Sequence, residues 1–298
     1  MDDAGAADQA EQAARRPLAL LRGSVAAFIE DDALSRGASI AFYAVTSMAP
    51  VLVIIVAIAG AAFGEDAARG ALAAQLGGIM GNDSATLVQD IVVHAAAYGS
   101  GTLAGIVGTL ALLVTASGVF GEIQAALNAI WRVAPQGTTL RRLIRARLVS
   151  LGLVGGLGFL LLLSLGIGTG LALLSQTLGS LGTAELWLGQ ILNFVVTFLL
   201  TALLVAAIYK ILPDTEIAWR PAMVGAVVTA FLFEVGKFLI GFYLGRVAPS
   251  SAYGTAGSLL IILLWTYYSA QIFLLGAEFT KVFAGRRLAR PPRRRATG

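Results

Sequence analysis

Six stretches of this sequence run for more than twenty residues with few charges: 38 to 63, 102 to 131, 148 to 175, 186 to 211, 221 to 246 and 257 to 284. About 20 apolar residues in a helix cross the roughly 30 Å hydrocarbon layer of a bilayer. Inside that layer every backbone N–H and C=O must be paired within the segment or in a closed barrel. These runs are too long for barrel strands and lack their strict alternation. The pattern predicts an all-α polytopic membrane protein with six transmembrane helices. Composition agrees, because 57% of the 298 residues are hydrophobic and 13% charged, with a mean hydropathy of +0.82. Those values exclude a water-soluble globule.

The basic residues set the expected orientation. Eighteen of the 21 Lys and Arg residues fall in segments that share one side when the N-terminus is cytoplasmic, from Arg15 through Arg132, Arg147, Lys210 and Arg220 to Arg295. Only Arg69 and Arg246 fall on the other side, and Lys237 lies within a span. The positive-inside rule then places both termini in the cytoplasm of a bacterial inner membrane. Asp2, Asp3, Asp8 and Glu11 precede any apolar run, so the first span is expected to act as its own insertion signal.

The chain divides into a cytoplasmic N-terminal segment, 1 to 37, a membrane domain, 38 to 285, and a basic cytoplasmic tail, 286 to 298. In the first, Leu18, Leu21, Val25, Phe28 and Ile29 recur at helical spacing behind Arg15, Arg16 and Arg22. This reads as an amphipathic helix, either on the bilayer surface or packed beneath the bundle. The segment 64 to 101 carries two apolar helical stripes, Ala68, Leu72, Leu76, Ile79, Met80 and then Leu87, Val88, Ile91, Val92, Ala95. Gly81-Asn82-Asp83-Ser84 separates them with turn and cap residues, which predicts an outer helical hairpin between the first and second spans. Glycines four apart, at 101 and 105, 152 and 156, 166 and 170, and 241 and 245, suit close helix packing in lipid.

Four segments carry a family likeness: RGASIAFYAVTSMAP at 36 to 50, SGVFGEIQAALNAIWRV at 117 to 133, YKILPDTEIAWRPAMVGAVVTAFLFEVGK at 209 to 237, and YGTAGSLLIILLWTYYSAQIFLLGAEFTKV at 253 to 282. Together they resemble the YihY/BrkB family of bacterial inner-membrane proteins, which has carried the label "ribonuclease BN-like". The resemblance implies six spans with cytoplasmic ends and a transport or envelope-maintenance role. One branch has been linked to movement of lipid A precursors. It supplies no settled functional residues.

Charged groups inside the spans need a reason, because each costs about 2.5–3.5 kcal/mol at a helix centre. With about 1.5 Å of rise per residue, Glu278, Glu122, Glu234 and Lys237 lie roughly 9, 14, 20 and 24 Å from the cytoplasmic boundary. They form a candidate ladder for a substrate or proton. Asn193 and Gln271 are candidates for the same path, with Pro50 as a candidate hinge. The alternative is local neutralisation, Glu234 by Lys237 and Glu278 by Lys281, each three residues apart on one helix face. Polar side chains also commonly serve to hydrogen-bond helices together.

With no cysteine and a single histidine, His94, thiolate metal sites, iron–sulfur clusters and cysteine nucleophiles are excluded. No cofactor or metal site is expected. The six arginines from 286 to 295 follow a span directly, which favours anionic inner-leaflet headgroups over nucleic acid as their partner. Assembly as a homo-oligomer stays open. The leading expectation is a transporter or flippase for a lipid or other amphiphile, not an enzyme. The alternative is an envelope scaffold that moves nothing.

Overall fold

The computed structural model describes residues 18–97, 118–133, 152, 156, 183–246 and 255–288. Helix α1 covers 18–30. It is followed by α2 (Ala33–Phe63), α3 (Glu65–Met80) and α4 (Asn82–Ala97), then α5, described over 118–130. The chain continues with α6 (Thr183–Ile211), α7 (Trp219–Arg246) and α8 (Thr255–Leu288). No strand occurs among the described residues. Helices α6, α7 and α8 are each long and apolar enough to cross a membrane. Helix α2 adds a fourth such span if its limbs, Ala33–Ala49 and Val51–Ala61, bent by 46°, are taken together. Pro50, which has no backbone N–H to give to the helix, sits between those limbs. The expected span at 148 to 175 lies outside the described residues except for Gly152 and Gly156, as does much of that at 102 to 131.

Helix α8 packs along both α2 and α7, and α7 along α6. Two apolar cores are stacked along this frame. One gathers Ile55, Val56 and Ala59 of α2, Ala68 of α3, Val88 and Val92 of α4, and Ile261, Ile262 and Trp265 of α8. The other gathers Ala33 and Ile40 of α2, Leu127 and Ile130 of α5, Ala206 and Tyr209 of α6, Ala222 and Ala226 of α7, and Leu274 and Ala277 of α8.

Helices α3 and α4 pack on each other and on α2. Gly64 (φ 88°) and Gly81 (φ 84°) end the preceding helices in backbone conformations that L side chains rarely adopt. The break is therefore Gly81 alone, and Asn82 is already helical. The buried stripe of α4 also differs from the expected one: Ser84, Ala85, Val88 and Val92 face inward, while Ile91 is exposed.

Helix α1 turns Gly23, Ser24 and Phe28 toward the bundle. A Cβ on Gly23 would lie 3.4 Å from Val282 Cγ1, Ser24 Oγ returns to the Leu20 carbonyl at 2.9 Å, and Phe28 packs on the second core. The stripe of Leu18, Leu21, Val25 and Ile29 faces away from the bundle and is exposed. Small residues decide the packed face, which the apolar periodicity did not reveal.

Helices α7 and α8 meet closely through glycines. A Cβ on Gly225 would fall 1.7 Å from Thr280 Oγ1, and one on Gly276 would fall 1.8 Å from Thr229 Oγ1. Each threonine donates back to its own helix, Thr229 to the Gly225 carbonyl at 2.8 Å and Thr280 to the Gly276 carbonyl at 2.7 Å. The two Gly-x-x-x-Thr units thus interlock, each threonine seated over the other helix's glycine. Tyr209 of α6 closes the crossing by donating to the Phe273 carbonyl at 2.6 Å, with its hydroxyl 3.0 Å from Thr229 Oγ1. Of the glycine pairs expected at helix contacts, a Cβ on Gly156 would lie 3.7 Å from Leu204 Cδ1, and one on Gly152 would meet nothing within 4 Å among the described residues. Gly101, Gly105, Gly166 and Gly170 lie outside the described residues.

Candidate functional site

Polar side chains converge where the α1–α2 turn meets the ends of α5 and α8. Lys281 of α8 is the centre: its Nζ donates to Asp31 Oδ2 at 2.6 Å and lies 3.5 Å from Glu278 Oε2. The Glu278 side chain is fully buried, and neither of its oxygens has a hydrogen-bond partner among the described residues. On the other side, Arg132 donates to Glu30 Oε1 at 2.8 Å and to Asp31 Oδ1 at 3.4 Å. Arg36 of α2 donates through Nε to the Asp31 carbonyl at 3.0 Å.

Helix ends build this cluster. Arg132 (φ 52°) and Asp32 (φ 53°) are both in the left-handed region although neither is glycine. At the end of α5, Val133 N–H donates to the Asn128 carbonyl at 2.9 Å and Arg132 N–H to the Ala129 carbonyl at 3.0 Å. That double bond is a Schellman stop, whose left-handed position normally favours glycine. Here the side chain at the stop is used, as it carries the bridge to Glu30 and Asp31. Burial pushes the Asp31 carboxyl up, but the hydrogen bond from Lys281, the neighbouring Glu278 and the charges of Lys281 and Arg132 outweigh it and hold it below its ordinary value. Arg132 is held above its ordinary value, first by its bond to Glu30 and then by the Asp31 and Glu30 charges.

A second polar contact stands beside the first. Asn128 Nδ2 donates to Asp214 Oδ2 at 2.8 Å, and Asp214 N–H donates to Asn128 Oδ1 at 2.8 Å. Gln124 Nε2 approaches Asp214 Oδ1 at 3.4 Å. Only one amide orientation satisfies both short bonds. The clamp pins the α6–α7 turn, with Pro213 and Asp214 buried, against α5.

A family model described as virulence factor BrkB matches residues 24–297. The chain belongs to that family. It is an integral membrane protein, as its apolar helices and its relatives' names agree. A UPF0761 membrane protein of Ralstonia nicotianae is 36% identical over 178 residues, which is 59% of this chain and 38% of that protein. One from Nitrosospira multiformis is 32% identical over 268 residues, 88% of this chain and 60% of the relative. One from Rhodospirillum centenum is 27% identical over 266 residues, covering 88% and 56%. The chain spans about half the length of such curated relatives. No solved structure matches.

Within this BrkB-family chain the expected ladder is divided among three places. Glu234 and Lys237 close on each other along α7, Nζ to Oε1 at 2.6 Å, with 19% and 29% of their side chains exposed. Glu278 belongs to the Asp31 cluster. Glu122 of α5 is half-buried and forms no ion pair with the described residues. Gln271 Nε2 donates to the Leu34 carbonyl at 3.2 Å, lying directly over Gly37, so it joins α8 to α2. Asn193 is on α6 and Pro50 on α2, and their side chains lie outside the described ones. Among the described residues no group of three His, Asp or Glu side chains is arranged to hold a metal ion.

The residues missed from sequence are Asp31, Arg132 and Asp214, and Lys281 was read as a partner of Glu278 but not of Asp31. The three members of the acidic run Glu30-Asp31-Asp32 have different uses: Glu30 meets Arg132, Asp31 meets Lys281, and Asp32 accepts from Ser35 Oγ at 3.0 Å. The partners of Glu30 and Asp31, about 100 and 250 residues away in sequence, were not legible.

Proposed function

We propose that this chain is a transporter or flippase for a lipid or other amphiphile with an ionic headgroup. In this reading it crosses the bacterial inner membrane six times, with both termini in the cytoplasm and α3–α4 as an outer hairpin. The observation that carries the reading is the Glu234–Lys237 pair. Two opposite charges sit on one helix inside an apolar span, and each keeps an exposed edge. Charges in a span are costly, and a pair kept for rigidity alone is served as well by apolar residues of similar size. A half-open pair instead offers both signs to a passing headgroup, as polar groups lining transport paths do.

Further support comes from the basic-residue asymmetry and from the polar cluster at the opposite end of the bundle from the α3–α4 pair. On this proposal the protein is a carrier and not an enzyme. The basic tail from Arg286 onward is assigned to anionic headgroups of the inner leaflet. The test is movement of labelled phospholipid across liposomes containing the purified protein, with Glu234→Gln/Lys237→Gln as the comparison. Movement by the wild type that is lost in the double variant, at equal amounts of folded protein, supports the reading. Equal movement by both sinks it.

A further inference from the structure

One ammonium serves two carboxyl groups at the Asp31 end of the bundle, and it serves them unequally. Lys281 Nζ is 2.6 Å from Asp31 Oδ2 and 3.5 Å from Glu278 Oε2. Glu278 has no exposed surface and no hydrogen-bond partner for either oxygen among the described residues. A buried carboxyl whose ammonium neighbour stands 3.5 Å away and is shared with a second carboxyl is built to exchange a proton.

The surrounding groups are fixed by other contacts. From the α1–α2 turn come Asp31 and Glu30, from α2 Arg36 on the Asp31 carbonyl, and from α5 Arg132 on Glu30 and Asp31. The Tyr209 hydroxyl of α6 is engaged one helical turn earlier along α8, at the Phe273 carbonyl. Lys281, on a flexible four-carbon stem, is the group with two alternative partners.

We infer that Glu278 is a proton-binding site whose occupancy decides where Lys281 sits, and thereby how firmly the end of α1 is latched to the last span. With a proton taken from water, the Glu278 carboxyl is neutral and Lys281 belongs to Asp31, which ties α8 to the α1–α2 turn. When the proton returns to water, the Glu278 carboxylate competes for the same ammonium, and the tie to Asp31 weakens. The site supplies a coupling ion for the proposed transport, and it rests on that reading only for what is coupled. The latch itself is a local two-state element.

The chain has no cysteine, so two introduced cysteines report without background. Leu21 is exposed on α1, and Gly285 on α8 has nothing within 4 Å. Nitroxide labels on Leu21→Cys and Gly285→Cys, in the full chain in lipid nanodiscs, give the α1–α8 distance distribution by pulsed electron resonance. The expected result is a distribution that lengthens and broadens from acidic to alkaline pH, and that Glu278→Gln locks in its acidic form at every pH. The same pH-dependent shift in Glu278→Gln, or an unchanging distribution in the wild type, overturns the inference. If Glu278→Gln fails to fold, Asp31→Asn carries the test. It is expected to give the broadened distribution at all pH values, and a retained wild-type pH shift is the contrary result. Because this readout contains no transport step, a latch that responds to pH in a protein that moves no lipid refutes only the transport reading.

Discussion

Replacing Gly276 by alanine places a methyl group directly into the α7–α8 crossing. The added Cβ would lie 1.8 Å from Thr229 Oγ1, 2.6 Å from the Tyr209 hydroxyl and 3.0 Å from Thr229 Cβ. Restoring an ordinary 3.4 Å contact to the first of these parts the helices by about 1.6 Å. Overpacking of this kind costs about 1–3 kcal/mol. Separation also pulls the fully buried Tyr209 hydroxyl from its acceptor, which adds about 1–3 kcal/mol. The combined loss is about 2–6 kcal/mol.

Gly70→Ala is the matched control, a helical glycine with nothing within 4 Å, and it should gain about 0.5–1 kcal/mol from helix propensity. Reversible unfolding in bicelles, followed by intrinsic fluorescence, reads both. Combining Gly276→Ala with Thr229→Gly moves the bulk from one helix to the other. The pair should show a favourable coupling of about 0.5–3 kcal/mol in a double-mutant cycle. Gly276→Ala as stable as Gly70→Ala, with no coupling to Thr229, would refute the interlocked crossing.

Two further outcomes follow from the polar contacts. Asn128→Ala removes two of the hydrogen bonds to Asp214, one of them to its carboxylate, and should destabilise by about 2–4 kcal/mol. Asn128→Asp should be worse, because it sets a carboxylate against Asp214, and equal melting temperatures for the two variants would contradict the clamp. The Asp31 carboxyl is held below its ordinary 3.8, so its bridge is fully stabilising above that pH and is lost as the pH falls through the lowered value. Asp31→Asn should therefore flatten part of the acid limb of a melting-temperature profile. An unchanged acid limb would remove Asp31 from the account.

What the sequence disclosed follows the range of each physical signal. Apolar runs are local, so α2, α6, α7 and α8 were legible as long apolar helices. The pairing of Glu234 with Lys237 was open as an alternative because three residues on a helix fix that distance. By contrast, Lys281 had an equally good local partner in Glu278, and nothing local favoured Asp31 over it. The match of Asn128 to Asp214 depends on how α5 meets the α6–α7 turn, which no local signal carries. The glycine signal was incomplete in a similar way. Spacing of glycine with glycine was conspicuous, while the crossing uses glycine with threonine, Gly225 with Thr229 and Gly276 with Thr280. A small residue on one helix is informative only together with what sits over it on the next.

The most direct test of the central claim compares headgroups. Purified protein in liposomes is offered fluorescent lipids of equal chain length carrying anionic, zwitterionic or uncharged headgroups, and transbilayer movement is followed for the wild type and for Lys237→Gln. The account predicts movement of ionic lipids by the wild type, weak movement of the uncharged one, and loss of the anionic preference in Lys237→Gln. Movement that ignores both headgroup charge and Lys237, or none at all from folded protein with and without a proton gradient, would contradict it.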